Sequence, residues 1–232
     1  MQHQKITTKK YTMKNNEDLQ RDVQDAIKYE PLLHAAEIGV TVEDGVVTLS
    51  GTVDSYAKKA EAEYAAKNVS GVKAVVEKIE IHLGTVGKRQ DADIAKEIVS
   101  IYKWNWYIPN ETIKVKVEDG WVTLEGDLDW NYQRDAATES VSQLTGVRGI
   151  TNQLNIKSAK TDAIEKIEIE KAINRNWSLH DNDIKVAVTG NRVRLDGLVR
   201  SLFQKDLAGK IAYNAPGVTG LDNELVIGGY DD

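Results

Sequence analysis

No cysteine occurs among the 232 residues, which excludes disulfides, thiolate metal sites and cysteine nucleophiles. No run of ~18 apolar residues is present to cross a bilayer as a helix. The N-terminus, MQHQKITTKKYTMKNN, lacks the apolar stretch of roughly 7–15 residues that a secretory signal needs. Positive charge is not in surplus either. The formal net charge is −6, the reverse of the basic footprint of proteins held to nucleic acid through its phosphates, so nucleic acid is not expected as a partner. Proline is scarce, at 3 residues, while 41% of the chain is hydrophobic and 28% charged. That is the composition of a folded globular protein rather than a disordered or fibrous one. As written the chain reads as cytoplasmic, or as periplasmic or envelope-associated if a leader has been removed. Met13 is an alternative start to Met1, and residues 1–14 read as a flexible tail.

What the chain does have is repetition. EDGVVTLSG at 43–51 returns as EDGWVTLEG at 118–126 and, more faintly, as TGNRVRLDG at 189–197. A step of 75 residues carries Gly45 to Gly120, Gly51 to Gly126, Gly71 to Gly146 and Ile81 to Ile156. A further step of 71 carries Gly126 to Gly197, Gly146 to Gly217 and Ile156 to Ile227. The copies therefore reach far beyond the nine residues, and the spacing divides the chain into a tail and three units at 15–83, 90–157 and 161–228, with short linkers at 82–90 and 157–162.

Within each unit the apolar period changes in a fixed order. Val23, Ala26 and Ile27 correspond to Ile98, Ile101 and Tyr102 and to Ile169, Ala172 and Ile173, steps of three and four that predict a helix with one buried face. Strict alternation follows at Ile38, Val40 and Val42 and their counterparts, which predicts a half-buried strand. Asp44-Gly45, Asp119-Gly120 and Gly190-Asn191 read as two-residue hairpin turns, because primed turns demand positive φ. A second alternating strand contains Val47, Leu49 and Val53, with Gly51, Gly126 and Gly197 on its inner face, where a missing side chain lets a helix approach. The second helix has Ser55 and Ser201 as N-caps, with Asp129 or Asn131 in the middle copy. It is rich in small residues (Ala62, Ala65, Ala66) and stops at Gly71, Gly146 or Gly217, read as left-handed C-caps. A third strand follows, parallel to the second because one helix joins them. The fold class is α+β: three tandem αββαβ domains, each a three-stranded sheet with two helices on one face.

This order, with Val47-Leu49-Gly51-Val53, Val122-Leu124-Gly126-Leu128, Val193-Leu195-Gly197-Val199 and Gly-Val at 71–72, 146–147 and 217–218, resembles the BON domain, a bacterial module named for osmotic-stress and nodulation proteins. The resemblance covers residues 17–228. It implies a non-enzymatic, stress-associated protein that attaches peripherally to phospholipid membranes or envelope components. The alternative is a soluble interaction or scaffold module that binds another protein or itself and takes no lipid.

The residues themselves offer little chemistry. His3, His34, His82 and His180 have no metal-ligand spacing, and no nucleophile elbow, Walker loop or dinucleotide fingerprint occurs, so neither enzyme activity, a metal nor a cofactor is expected. Glu43-Asp44 and Glu118-Asp119 read as polar turns. Two surfaces stand as candidates for an anionic lipid. One is aromatic: Trp104 and Trp106 in the stretch YKWNWYIPN at 102–110, together with Trp121, which alternates outward; packing between units is the other use for such rings. The second is basic: Arg192, Arg194, Arg200, Lys205 and Lys210 face two acids, Asp196 and Asp206, between residues 189 and 210, which is either a headgroup-binding patch or a solvated face.

Overall fold

A computed structural model of the chain describes residues 14–33, 38–84, 89–157, 166–180 and 182–228. The expected tail up to residue 13, His34 and parts of both linkers lie outside the described residues. The first unit runs α1 (Asn16–Tyr29), β1 (Ile38–Glu43), β2 (Val46–Val53), α2 (Tyr56–Asn68) and β3 (Ala74–Ile81). The second runs α3 (Asp91–Trp104), β4 (Ile113–Glu118), β5 (Trp121–Leu128), α4 (Asn131–Ser142) and β6 (Gly149–Ile156). The third runs α5 (Lys166–Arg175), β7 (Ile184–Thr189), β8 (Arg192–Val199), α6 (Leu202–Tyr213), then β9 (Gly220–Asn223) and β10 (Val226–Ile227).

Each sheet places its second strand in the centre, antiparallel to the first and parallel to the third. The parallel register is the same in all three: Val46 lies beside Ala74, Trp121 beside Gly149 and Arg192 beside Gly220, a step of 28 residues each time. In the third unit the last strand is interrupted at Glu224 and Leu225, yet Val226 pairs with Leu198 at the same step, so the break costs no register. Alternation then decides the core. Val47 and Leu49, Val122 and Leu124, and Val193 and Leu195 are fully buried against Val23 and Ile27, Ile98 and Tyr102, and Ile169 and Ile173. Each such side chain contributes about 1.5–3 kcal/mol.

Asp44 and Gly45, and Asp119 and Gly120, all have positive φ, as a type I′ turn requires; in the third hairpin Gly190 alone does, as in type II′. The first two turns are tied to the start of the first helix. Asn16 Oδ1 accepts the Asp44 N–H at 3.0 Å, and the Asp91 carboxylate accepts the N–H groups of Asp119 and Gly120 at 2.8 Å.

Three expectations are corrected. Gly126 and Gly197 are approached not by a helix but by backbone, the carbonyls of Thr112 and Asp183 that precede β4 and β7. Gly71, Gly146 and Gly217 have positive φ but are not C-caps: the helices end at Asn68, Ser142 and Tyr213, and the glycines lie in the following turn, which drives Val72, Val147 and Val218 into the core. Neither Asp129 nor Asn131 caps α4. Gln133 Oε1 accepts the N–H groups of Asp129 and Trp130, and Asn131 is buried in the first turn. Ser55 and Ser201 do cap α2 and α6, accepting from Lys58 and Gln204.

The second helices also bring the units together, and they do so in one sense. The late part of α2 meets the early part of α6: Tyr64 packs edge-on to Phe203 at 5.5 Å, Lys67 pairs with Asp206 at 3.4 Å, and the Gly71 N–H donates to the Arg200 carbonyl at 3.0 Å. The late part of α6 meets the early part of α4: Lys210 pairs with Asp135 at 3.2 Å, Asn131 Nδ2 donates to Asn214 Oδ1 at 2.9 Å, and Arg134 lies over Tyr213 at 5.1 Å. The circle closes where Tyr56, in the first turn of α2, packs against the core of the middle unit. The first two junctions use corresponding stretches of the second helices, and Tyr56 holds at the third the place that Asn131 holds at the second, so the three units form a head-to-tail ring with an approximate rotational pseudo-symmetry of order three.

One core residue sets the middle unit apart. Tyr102 stands where the other units have Ile27 and Ile173; its hydroxyl donates to the Ala137 carbonyl at 3.0 Å, and burial pushes the phenol well above its ordinary range. An unfolded chain releases this proton from about pH 10 upward while the folded unit retains it. The folded state then binds more protons, so stability must fall as pH rises through that window. Denaturant midpoints followed from neutral pH upward should drop above about pH 10 and drop less in Tyr102→Phe; parallel curves for the two proteins would exclude this role.

Candidate functional site

The connection from first helix to first strand begins in the same way in every unit. Leu33, Ile108 and Leu179 turn inward and are buried, with N–H groups donating to the carbonyls of Glu30, Asn105 and Asn176 at 3.1, 3.0 and 2.9 Å. In two units an asparagine side chain tightens it further: Asn105 Oδ1 accepts from Tyr107 N–H and Asn176 Oδ1 from Ser178 N–H. A loop anchored inside and closed by short hydrogen bonds holds its outer residues in place. Those outer residues are apolar. Trp104 and Trp106 are each 83% exposed and Trp177 84%, while Tyr29 and Leu32 are 85% and 61% exposed.

The middle unit has the largest such tip. The Trp106 and Tyr107 rings lie 4.1 Å apart, Tyr107 meets Tyr132 edge-on at 6.2 Å, and Tyr132 stacks with Trp130 at 6.5 Å. Trp104, Asn105, Trp106 and Tyr107 border a shallow groove of about 500 Å³ with Ser100 and Ile101. Lys103 stands in the last helical turn beside it. Trp121 is elsewhere. It is half-exposed on the outer face of its own sheet, lies across Gly149, and donates through Nε1 to Thr151 Oγ1 at 2.7 Å. The structure thus keeps Trp104 and Trp106 together and separates Trp121 from them.

The basic candidates do not form a basic field. Arg192 is held by Asp222, Nη2 to Oδ1 at 2.5 Å. Arg194 forks onto Asp196 with two bonds of 2.9 Å, lowering that carboxyl below its usual range, and lies 3.4 Å from Glu224. Asp222 on β9 and Glu224 in the break after it lie beyond the stretch in which charge was counted, and they cut its surplus from +3 to +1. Lys205 Nζ folds back to the Leu225 carbonyl at 2.7 Å, Lys210 belongs to the junction with the middle unit, and Arg200 carries the backbone bond to Gly71. Among the described residues, His82 and His180 are exposed, no group of three or more His, Cys, Asp or Glu is arranged to hold a metal, and no helix is long and apolar enough to cross a membrane.

Trp177 and Tyr29 escape a reading of local motifs, although the step of 71 residues that aligns the second and third units carries Trp106 onto Trp177.

The family model described as BON domain matches the chain three times, at residues 15–82, 90–158 and 161–229. Osmotically-inducible protein Y of Escherichia coli strain K12 is 33% identical over 129 residues, 54% of this chain, and the matched stretch spans 64% of that protein's length. Among solved structures the chain is similar to CdsD, titled a structural protein of the type III secretion system of Chlamydia trachomatis, at 17% identity over 90% of this chain and 92% of that one, with a TM-score of 0.25. The C-terminal domain of CdsD is 18% identical over 92% of this chain and 99% of its own, again with a TM-score of 0.25.

Proposed function

Since the chain belongs to the BON domain family, with three copies between residues 15 and 229, we propose that it is a non-enzymatic, stress-associated binding protein that attaches peripherally to phospholipid at the cell envelope through the aromatic tip of its middle unit. Likeness to an osmotically inducible protein supports the stress association. The observation that carries the lipid reading is the exposure of Trp104, at the end of α3, and of Trp106, on the anchored loop that follows. Indole and phenol rings favour the boundary between hydrocarbon and water, where an apolar ring and a polar tip are both accommodated. A loop already ordered in the free protein loses little entropy on insertion. Lys103 beside the rings is placed to meet an anionic headgroup, an attraction of about 1 kcal/mol per cation near the surface.

Co-sedimentation with vesicles of phosphatidylcholine and phosphatidylglycerol tests this. Trp104→Ser with Trp106→Ser should weaken binding about tenfold or more, taking ~25 cal/mol per Å² of ring surface withdrawn from water. Replacing Arg192 and Arg194 together by Gln should change it less than about twofold, because exposed cations engaged with acids have little net field to offer. If the parent ignores vesicles and instead forms a defined complex with a protein, the interaction-module reading takes its place.

A further inference from the structure

We infer that the three helix-to-strand loops act together as one three-point anchor, the tips of the first and third units joining that of the second on a single bilayer. This rests on the lipid reading above and extends it to residues which that reading does not use.

The ring supplies the geometry. Its junctions pair equivalent positions in the same rotational sense, so equivalent loops lie at the same height along the ring axis. Those of the second and third units also lie next to the junctions rather than at the outer rim. Tyr107 meets Tyr132, the neighbour of the junction residue Asn131. Ser178 accepts a hydrogen bond through its carbonyl from Gln204 at 2.7 Å, and Gln204 follows the junction residue Phe203. Loops at one height around an axis touch one plane together when their apolar residues project along that axis, and this is the orientation that the three-point anchor assigns to them.

The chemistry repeats with the geometry. Each tip pairs a large apolar residue with a cation in the last turn of the preceding helix: Tyr29 with Lys28, Trp104 with Lys103, and Trp177 two residues beyond Arg175. Rings entering the interface beneath cations that remain among anionic headgroups is the arrangement of an interfacial binder. The neutral side chain Ser178, where the middle unit has Tyr107, makes the third tip smaller than the second. Once one tip is inserted, the others meet the bilayer at an effective concentration set by the rigid ring, so weak tips multiply.

The full chain is tested against vesicles of phosphatidylcholine and phosphatidylglycerol. Trp177→Ser and Tyr29→Ser, both at exposed positions, should each lower affinity several-fold, and their combination with Trp106→Ser should lower it by about the product of the separate effects. A variant keeping Trp177 as its sole tryptophan, with the other four replaced by Phe so that the middle tip stays aromatic, should be quenched by lipids brominated in the acyl chain, whereas one keeping Trp121 alone, with the same replacement, should not. If the parent binds vesicles and loses binding with Trp104 and Trp106, but Trp177→Ser and Tyr29→Ser stay within twofold of the parent, the three-point anchor is overturned and the single-tip reading stands. If the parent does not bind vesicles, both fall.

Discussion

Gly126→Ala is expected to destabilise the middle unit by about 4 kcal/mol, at the upper end of single-residue effects, because it combines backbone strain with a steric conflict that nothing nearby can relieve. The residue has φ of +148°, a conformation that L side chains rarely adopt. Its missing Cβ would also sit well inside contact distance of the Thr112 carbonyl oxygen, which is backbone and fixed by the pairing of Ile113 with Gly126. Gly197 repeats the arrangement with φ of +133° against the Asp183 carbonyl, so Gly197→Ala should behave alike in the third unit. Gly190 is the control. Its φ is +58° and a Cβ there would meet nothing within 4 Å, leaving only the backbone cost of a positive φ at a type II′ turn, on the order of 1–2 kcal/mol. Urea titrations of the three variants should rank Gly126→Ala and Gly197→Ala well below Gly190→Ala. Equal midpoints would mean that the loop before the first strand yields, and that the glycine in the repeated V-x-L-x-G motif has another reason.

That glycine marks where sequence reading stops. Its recurrence at 51, 126 and 197 is visible, and so is its place on an alternating strand. At 126 and 197 the neighbour that requires it is the carbonyl just before the first strand, and backbone atoms leave no signature in side-chain patterning. Helices and strands were legible because burial imposes a period on each, as at Val23 and Ile27 or Val47 and Leu49. The partners of Arg192 and Arg194 were not. Asp222 and Glu224 reach them only through the 28-residue parallel register, which the alternation of either strand leaves open. Trp104 and Trp106 were legible as lying outside their own unit's core, because a helix end followed by aromatic and turn residues has no core position for them, but exposure and packing between units were not told apart. The ring was not legible. Its junctions use different side chains each time, and the one local sign is the spread of alanine, lysine and tyrosine around α2, a helix with two faces to cover rather than one.

Those differences between junctions bear on the second large effect. At the position where the early part of each second helix enters a junction, the first unit has Tyr56, the second Asn131 and the third Leu202. Asn131 is buried, 3% exposed, and its Nδ2 is satisfied chiefly by Asn214 Oδ1 at 2.9 Å, with Asp135 Oδ2 at 3.5 Å. Asn214→Leu should therefore cost about 2 kcal/mol, since it strands a buried donor. Asn131→Leu should cost less, because Asn214 is only half-buried and turns to water. The double replacement should recover most of the loss, as both polar groups then leave together, and the coupling in the cycle should reach at least about 1 kcal/mol. A net contribution near zero from this amide pair raises the question of what it does. It does not choose the order of the units: the step of 146 residues that carries Tyr56 onto Leu202 also carries Asn68 onto Asn214, so a ring assembled in the other order would still offer Asn131 an asparagine. What the pair penalises is a slipped contact that sets the buried Asn131 amide against an apolar neighbour. Scattering and cross-linking should then find the double leucine variant as stable as the parent and with its units in the same order, set by Tyr64 with Phe203 and by the lengths of the linkers. Additive losses around the cycle would show that the two amides act independently, and a changed order in the double variant would show that they direct assembly after all.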